Sequence, residues 1–268
     1  MMTAAAETKS RISTALTSIT DTSEYTSFSP LPEQPGLYYT VAMAPLYIVG
    51  TPIGNLRDIT LRALDTLKGA DVVACEDTRH TGKLLRAHGL EKKVISCHSH
   101  NKEASIGRIC SHLDAGRAVA YLTDAGTPAV SDPGADLVSA VRERKHEIVP
   151  IPGPSAVTAL MSAAGIGGKT IVFDGFLSPK GGRRRKRLTE LLERRENFIL
   201  YESPHRIVNL LTDLADLAPE RLIFIGREMT KLHEEFMYGT AADILEKIGR
   251  KSRILGEFSL FVSGKKKN

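Results

Sequence analysis

The stretch LYIVGTPIGNLRDIT, residues 46–60, decides the fold class of this chain. Four apolar residues run directly into a turn that contains Gly50 and Gly54, and a polar segment able to start a helix follows. A strand that ends in a glycine turn before a helix is the unit from which parallel α/β sheets are built. Because open α/β sheets bind ligands at the carboxyl ends of their strands, this junction is also a candidate binding site.

The alternation of strand and helix continues along the chain and is interrupted once, by the glycine-rich segment 165–168. Short β-rich runs predict strands on both sides of that break, at residues 46–49, 72–75, 94–96, 119–122, 148–151, 171–173, 198–201, 222–225 and 258–262. Two sets of strands separated by a flexible break predict two α/β domains.

The predicted domains occupy most of the chain and leave short segments at both ends. Fourteen of the first forty residues are Ser or Thr, so residues 1–44 are expected to form a disordered extension. We expect an N-terminal α/β domain over residues 45–153, a C-terminal α/β domain over residues 154–264 and a basic tail over residues 265–268.

Composition limits the class of protein. The 268 residues carry a net charge of +5, which permits an anionic partner, and no apolar run approaches the roughly 20 residues needed to cross a bilayer. The three cysteines lack the paired spacing of a disulfide or zinc framework. These features predict a soluble cytoplasmic protein without a membrane or metal partner.

Two further strand ends carry glycine loops. Residues 123–134, TDAGTPAVSDPG, are too long and too rigid for a simple turn, because two prolines fix the backbone around Gly126. Residues 151–156, IPGPSA, place Ser155 where it can cap the next helix. The glycine spacing matches neither the GxGxxG pattern of dinucleotide-binding sites nor the P-loop pattern. We therefore predict a different kind of ligand cradle at this edge of the sheet.

The loop at residues 123–134 closely resembles the signature loop of the bacterial ribosomal RNA small subunit methyltransferase I family, with Thr123 in place of the usual Ser. Other motifs match the same family in order: VGTPIGNLRDIT at 49–60, CEDTR at 75–79, HSHN at 98–101, IPGPSA at 151–156, YESPHR at 201–206 and GREMTK at 226–231. The resemblance covers about residues 45–263. It implies a tetrapyrrole methylase-like fold, in which two α/β domains hold the methyl donor in the cleft between them, and a homodimer.

The resemblance also implies a reaction and its site. It predicts an S-adenosylmethionine-dependent enzyme that methylates the ribose 2′-oxygen of a cytidine in small-subunit (16S) ribosomal RNA, with the RNA or the 30S subunit as partner. The residues expected to hold the donor lie on the glycine loops and on the YESPHR motif: Pro52, Ala125, Gly126, Thr127, Pro128, Ser131, Ser155, Ala156, Tyr201 and Glu202.

Candidate RNA contacts lie in two places. Five consecutive cations follow Gly181 and Gly182, and so dense a run favours a polyanionic partner, although it can also be a solvated charge run. We expect the run to lie on a flexible loop that is anchored by an amphipathic helix, which the spacing of Leu188, Leu191 and Leu192 indicates. The residues expected to bind phosphate are Arg183, Arg184, Arg185, Lys186 and Arg187.

An HxH pair without two further ligands is weak evidence for a metal, so His98, His100 and Asn101 are expected to line the cleft and contact substrate. A structural role for either His is the alternative.

Methyl transfer to a ribose hydroxyl needs alignment and a group that assists a poor nucleophile. Spacing does not rank the candidates for this role, which are Glu202, His205, Arg206, Glu228, Lys231 and Asp77. We predict Glu202, His205 and Lys231 as the catalytic residues. Asp77 and Arg79 are expected to form a structural ion pair instead.

Two alternatives remain open from the residues. The same scaffold can methylate a tetrapyrrole or a protein side chain, because a fold alone does not name its acceptor. A non-enzymatic RNA-binding module would need the basic run but not the three glycine loops.

Overall fold

The computed structural model describes residues 44–97, 102–130, 134–250 and 253–266. The first half of this region contains a five-stranded, wholly parallel sheet in the order β3-β2-β4-β1-β5. Its strands are β1 (Leu46–Val49), β2 (Val72–Cys75), β3 (Val94–Ser96), β4 (Val119–Leu122) and β5 (Ile148–Ile151). The helices between them are α1 (Leu61–Gly69), α2 (Thr78–Ala87), α3 (Lys102–Asp114) and α4 (Gly134–Glu143), and a 3-10 helix spans Leu56–Asp58.

Helices cover both faces of this sheet, which is why its central strands are apolar throughout. All four residues of β2 and of β4 are buried, as expected for parallel strands with helices on each side. The helix starts follow from side chains in the sequence. Thr60 accepts a hydrogen bond from the backbone N–H of Ala63 at the start of α1, and Asp77 accepts one from Arg79 at the start of α2.

The second half contains a mixed five-stranded sheet in the order β6-β7-β10-β8-β9. Its strands are β6 (Ile171–Phe176), β7 (Asn197–Glu202), β8 (Arg221–Arg227), β9 (Glu235–Gly239) and β10 (Phe258–Lys266). The β6 and β7 pair is parallel, whereas β10 runs antiparallel to both β7 and β8, and β8 runs antiparallel to β9. Its helices are α5 (Ala156–Ala164), α6 (Gly181–Glu193), α7 (Ile207–Leu217) and α8 (Ala241–Gly249).

Helix α5 joins the two halves. One face of the second sheet packs on α6, α7 and α8. The other face packs on α5, where Leu160 contacts a cluster that includes Ile199 and Phe261, and Ile53 from the first glycine loop packs against the same cluster. The loop that follows β1 therefore packs, through Ile53, on the α5 face of the second sheet.

The expected α/β class and all nine predicted strands are confirmed. Strand β9 is missing from the prediction, because it lies at the edge of its sheet and only Met237 of its five residues is buried. Residues 1–43 and 267–268 lie outside the described residues, so the expected N-terminal extension and the domain boundaries stay predictions. The expected basic tail is wrong in part, because β10 continues through Lys265 and Lys266.

The expected loop for the basic run is wrong. Residues 183–187 lie within helix α6, and Lys180 precedes its first residue. Leu188 and Leu191 on the same helix are fully buried, so the packing of this apolar face favours helix over loop.

Candidate active site

Three glycine loops meet at the carboxyl ends of β1, β4 and β5. Thr51 and Gly126 exchange two backbone hydrogen bonds, with N···O distances of 2.9 and 3.1 Å. The hydroxyl of Thr51 also donates to the carbonyl of Thr123, at 3.2 Å. The hydroxyl of Thr127 donates to the carbonyl of Pro154 at 3.4 Å, so all three loops are joined.

Glycine is needed at two points of this arrangement for different reasons. A Cβ on Gly50 would lie 2.8 Å from the Cα of Gly153, closer than side-chain carbons approach a backbone, so these two loops can touch only as glycines. Gly126 has a φ of +82°, a left-handed conformation that other residues rarely adopt. The sequence therefore fixes a rigid cradle of exposed backbone.

The β4 loop is also tied to the end of β2. The carboxylate of Asp124 accepts a hydrogen bond from the backbone N–H of Asp77, at 3.0 Å. Asp77 is in turn paired with Arg79 at 3.0 Å, which confirms the expected ion pair, and hydrogen bonds from Arg79 lower the pKa of Asp77 to about 2. Glu76, next to this pair, faces the space in front of the loops.

Aromatic rings of the second sheet lie opposite the loops. Tyr201 makes edge-to-face contacts with Phe173 and Phe176, with ring centroids 5.0 and 5.6 Å apart. Burial raises the pKa of Tyr201 to about 12, and a backbone hydrogen bond from Val157 at the start of α5 offsets this only in part. The phenol is therefore neutral at physiological pH and acts as a fixed wall.

Glu202 follows Tyr201 and is buried. Its Oε1 accepts a hydrogen bond from the backbone N–H of Ser203 and pairs with Arg206, both at 2.7 Å. The guanidinium of Arg206 also lies 6.0 Å from the ring centroid of Phe176. Arg206 thus holds both an aromatic ring and a carboxylate of this wall.

A strained turn brings Lys231 to the same space. Glu228 and Thr230 have φ values of +51° and +66°, which are costly for residues with a Cβ and are typical of functional turns. The hydroxyl of Thr230 accepts a hydrogen bond from the backbone N–H of Asn55, at 3.1 Å, so the turn is fixed to the first glycine loop.

The charged side chains around this turn form ion pairs with one another. The ammonium of Lys231 lies 2.8 Å from Glu228 and 2.9 Å from Glu257. Burial alone would lower the pKa of Lys231, but hydrogen bonds to the two carboxylates outweigh it and raise this pKa. Burial would raise the pKa of Glu228, and the bonds from Lys231 and from the backbone of Glu257 lower it instead. Both groups are therefore charged at neutral pH.

Together these parts enclose a cleft of about 500 Å³ between the loops and the second sheet. Its lining residues are Ile53, Glu76, Thr123, Asp124, Ala125, Gly126, Thr127, Val130, Ser155, Ala156, Phe176, Tyr201, Glu202, Ser203, Pro204, Gly226, Met229, Lys231, Glu257, Phe258 and Ser259. Among these described residues four carboxylates face one ammonium, so the cleft favours a ligand that carries positive charge.

Known proteins resemble this chain over most of its length. A family model described as Tetrapyrrole (Corrin/Porphyrin) Methylases matches residues 45–245. Ribosomal RNA small subunit methyltransferase I of Neisseria meningitidis serogroup B is 46% identical over 205 residues, which cover 76% of this chain and 70% of that protein. The protein of the same name from Borrelia garinii is 42% identical, over 81% of this chain and 98% of its own length.

The chain belongs to the ribosomal RNA small subunit methyltransferase I family.

Solved structures support the fold alone. A cobalt precorrin-4 methyltransferase aligns with a TM-score of 0.64 at 18% identity, over 85% of this chain and 98% of the other. A uroporphyrin-III-C-methyltransferase from Thermus thermophilus aligns with a TM-score of 0.60 at 21% identity, over 82% and 94%. The tetrapyrrole methylase-like fold of this methyltransferase I family member is confirmed.

The residues expected to hold the donor are distributed in and around the cleft of the methyltransferase I chain. Seven of them line it: Ala125, Gly126, Thr127, Ser155, Ala156, Tyr201 and Glu202. Pro52 and Pro128 are buried behind the lining and shape the loops. Ser155 is at the N-cap of α5, as expected, but its side chain makes no capping hydrogen bond. Ser131 lies outside the described residues.

Of the catalytic candidates, Glu202 and Lys231 line the cleft. His205 is exposed and is not among the lining residues. Their catalytic roles stay predictions. The substrate-contact candidates His98, His100 and Asn101 lie outside the described residues.

Helix α6 does not present five free cations to RNA. Arg184 is buried and pairs with Asp213 at 2.6 Å, and Arg185 pairs with the same carboxylate at 2.7 Å. Arg187 pairs with Asp174 at 2.6 Å. A guanidinium that is paired with a carboxylate of the same chain is a poor phosphate ligand. Of the five cations predicted to bind phosphate, Arg183 and Lys186 are therefore the two that remain suited to that role, because both are exposed.

Several lining residues were not predicted from the sequence. Glu257, Phe258 and Ser259 reach the cleft because β10 is antiparallel to β7, which sets Phe258 beside Glu202 and Ser259 beside Tyr201. Strand direction leaves no local mark in the sequence, so no motif could have revealed this. Phe176 and Met229 could have been predicted as lining residues. Met229 lies in the motif at residues 226–231, and Phe176 lies just after the predicted strand at 171–173.

The described residues lack a membrane-spanning helix and a cluster of metal ligands. No helix there has both the length and the apolar character needed to span a membrane. No group of three or more His, Cys, Asp or Glu side chains in those ranges is placed to hold a metal ion, and Cys75, Cys97 and Cys110 are buried and unbridged.

Proposed function

We propose that this chain is a cytoplasmic S-adenosylmethionine-dependent methyltransferase that modifies the ribose 2′-oxygen of a cytidine in small-subunit ribosomal RNA. The observation that supports it most directly is the cradle of three joined glycine loops facing an acidic cleft, in a chain of the methyltransferase I family. A homodimer, implied by the family resemblance, is part of the same proposal.

The cleft fits the proposed donor in size and in charge. Pockets of about 300–1,000 Å³ hold ligands of this size, and this one measures about 500 Å³. A sulfonium donor is a cation at sulfur, so the excess of carboxylates in the lining complements it. The backbone around Ala125, Gly126 and Thr127 would hold the donor against Tyr201.

The protein's own task is mainly alignment, because the bound donor supplies an activated methyl group. The loops fix one side of the cleft and the ring of Tyr201 fixes the other, which limits how a ribose can approach. Lys231 is the candidate to polarise the acceptor hydroxyl, since an ammonium has three donors and the described carboxylates accept from two. Glu202, held by Arg206, places a carboxylate at a fixed position in the cleft.

The test is transfer of labelled methyl groups from S-adenosylmethionine to purified small ribosomal subunits, followed by nuclease digestion and mass spectrometry of the nucleosides. We expect label on the ribose of one cytidine. Label on a base, a protein or a tetrapyrrole would contradict the proposed acceptor.

A companion calorimetric titration with S-adenosylmethionine separates an enzyme from an RNA-binding module. We expect stoichiometric binding of the donor, and RNA binding without any donor binding would contradict the enzyme assignment. Alanine at Glu202 or Lys231 should lower turnover more than RNA binding, because their contacts would strengthen mainly in the transition state.

A further inference from the structure

Helix α2 carries a stripe of cations on its exposed face. Arg79, Lys83 and Arg86 are spaced four and three residues apart, which places them on one side of a helix. Leu84 and Leu85 are buried on the opposite side, so the cations point away from the core. The helix contains no acidic residue.

This stripe differs from the basic run on α6 in how its charges are used. Arg79 pairs with Asp77 at the helix start, yet 88% of its side chain is exposed. No ion pair joins Lys83 or Arg86 to a carboxylate in the described part of the chain. Because the two cations are not neutralised there, they are available to an anionic partner.

The stripe begins at the rim of the cleft. Glu76 lines the cleft, and Asp77 donates its backbone N–H to Asp124 of the β4 loop. Helix α2 starts at the next residue, and its ten residues extend about 15 Å from that point. Arg79, the second residue of the helix, therefore lies beside the rim, and Lys83 and Arg86 follow it along the helix.

A neighbouring element lengthens the same basic surface. The ring Nε2 of His88, just after α2, lies 3.2 Å from the carbonyl of Leu56 in the 3-10 helix. Arg57 of that 3-10 helix is exposed, with Asp58 beside it as the nearest acidic residue in sequence. The surface thus has four cations, Arg57, Arg79, Lys83 and Arg86.

We propose that this α2 surface docks the phosphate backbone of the RNA substrate next to the residue that enters the cleft. The proposal rests on the proposed function, which requires a polyanion at this cleft, and it assigns the docking to the first half of the chain rather than to α6 alone. Charge complementarity and continuity with the cleft both point to RNA.

The experiment compares Lys83→Gln/Arg86→Gln with a matched control, Arg117→Gln/Arg142→Gln. The control residues are exposed cations of the same half, located just before β4 and near the end of α4, at the end of the sheet away from the cleft. Binding of purified small ribosomal subunits is measured by filter retention at several salt concentrations, with donor affinity measured by calorimetry.

We expect the α2 variant to bind the subunits about tenfold more weakly at about 0.15 M salt, with a slope against log salt smaller by about one to two. Donor affinity should equal that of the wild type. The charge-preserving variant Lys83→Arg/Arg86→Lys should retain wild-type binding, which separates loss of charge from loss of helix structure.

Subunit binding by the α2 variant equal to that of the control would overturn the proposal, even if the wild type methylates RNA. The docking surface and the proposed reaction can also fail separately in the other direction. Subunit binding that depends on α2, in a wild type that methylates no ribose, would support this surface and contradict the proposed reaction.

Discussion

The two halves of the described chain present their sides of the cleft by different means. In the first half the loops are held by backbone hydrogen bonds and by polar side chains such as Thr51 and Thr127. Apart from His146, the buried polar residues described there are the hydroxyl-bearing Thr51, Thr81, Ser105 and Thr123. The second half buries formal charges, namely Arg184, Glu202, Asp213 and Arg221. We infer that side-chain volume limits substitution in the first half, whereas charge balance limits it in the second.

Removing one buried charge should give the largest effect. Arg184→Ala leaves Asp213, 91% of whose side chain is buried, with Arg185 as its remaining partner. We expect a loss of about 3 kcal/mol in the free energy of unfolding, since breaking a buried pair leaves a charge uncompensated. Denaturant unfolding measures it. Arg183→Ala on the same helix, at an exposed position, should change stability by less than about 0.5 kcal/mol.

The second largest effect is expected when a larger side chain is added to a glycine loop of the first half, where it should weaken donor binding. Gly126→Val forces a β-branched residue into a φ of +82°, a strain of about 1–3 kcal/mol, within the backbone that would face the donor. Affinity for S-adenosylmethionine should fall by the corresponding factor, about 5- to 150-fold. Gly107→Ala in α3, where a Cβ meets open space, is the control and should bind the donor normally. Normal affinity in a folded Gly126→Val protein would remove the β4 loop from the donor site.

In the second half, removal of a charge with little change in side-chain volume should affect turnover. Lys231→Met should lower turnover about tenfold while donor affinity changes less, because the ammonium would act mainly on the developing charge. Lys231→Arg should recover part of the loss. Since neighbouring carboxylates raise the pKa of Lys231 above its usual value near 10.5, wild-type turnover should show no loss from this group between pH 7 and about 10. A limb at lower pH that disappears in Lys231→Met would contradict this.

The smallest effect is expected from residues 1–42. Their Ser- and Thr-rich composition predicts disorder, and the family match begins at residue 45. A chain that begins at Met43 should keep its melting temperature within about 2 °C and its turnover within about twofold. A larger loss of either would show that this segment contributes to the folded enzyme.

Local sequence predicted the first half well. Its strands β2 and β4 are buried on both faces and its loops need glycine, so both leave marks in composition, such as Val72–Cys75 and Gly126. The cradle was predicted for the same reason.

The second half was harder to predict. Its contribution to the cleft depends on the antiparallel direction of β10, and the partners of Arg184 and Arg187 come from other elements. A run of cations has the same sequence whether it is solvated or paired, so only the fold distinguishes these cases. Strand β9 was missed because an edge strand with one buried side chain has little apolar pattern.

The position of β10 has a consequence for synthesis of the chain. The first sheet takes all its strands from residues 46–151, so it can assemble while later residues are still being translated. The second sheet has β10 between β7 and β8, and until residues 258–262 leave the ribosome these two strands lack their shared neighbour. The second sheet therefore stays incomplete, with open edges on β7 and β8, until the last described strand is available. Until then a chaperone would have these edges to protect.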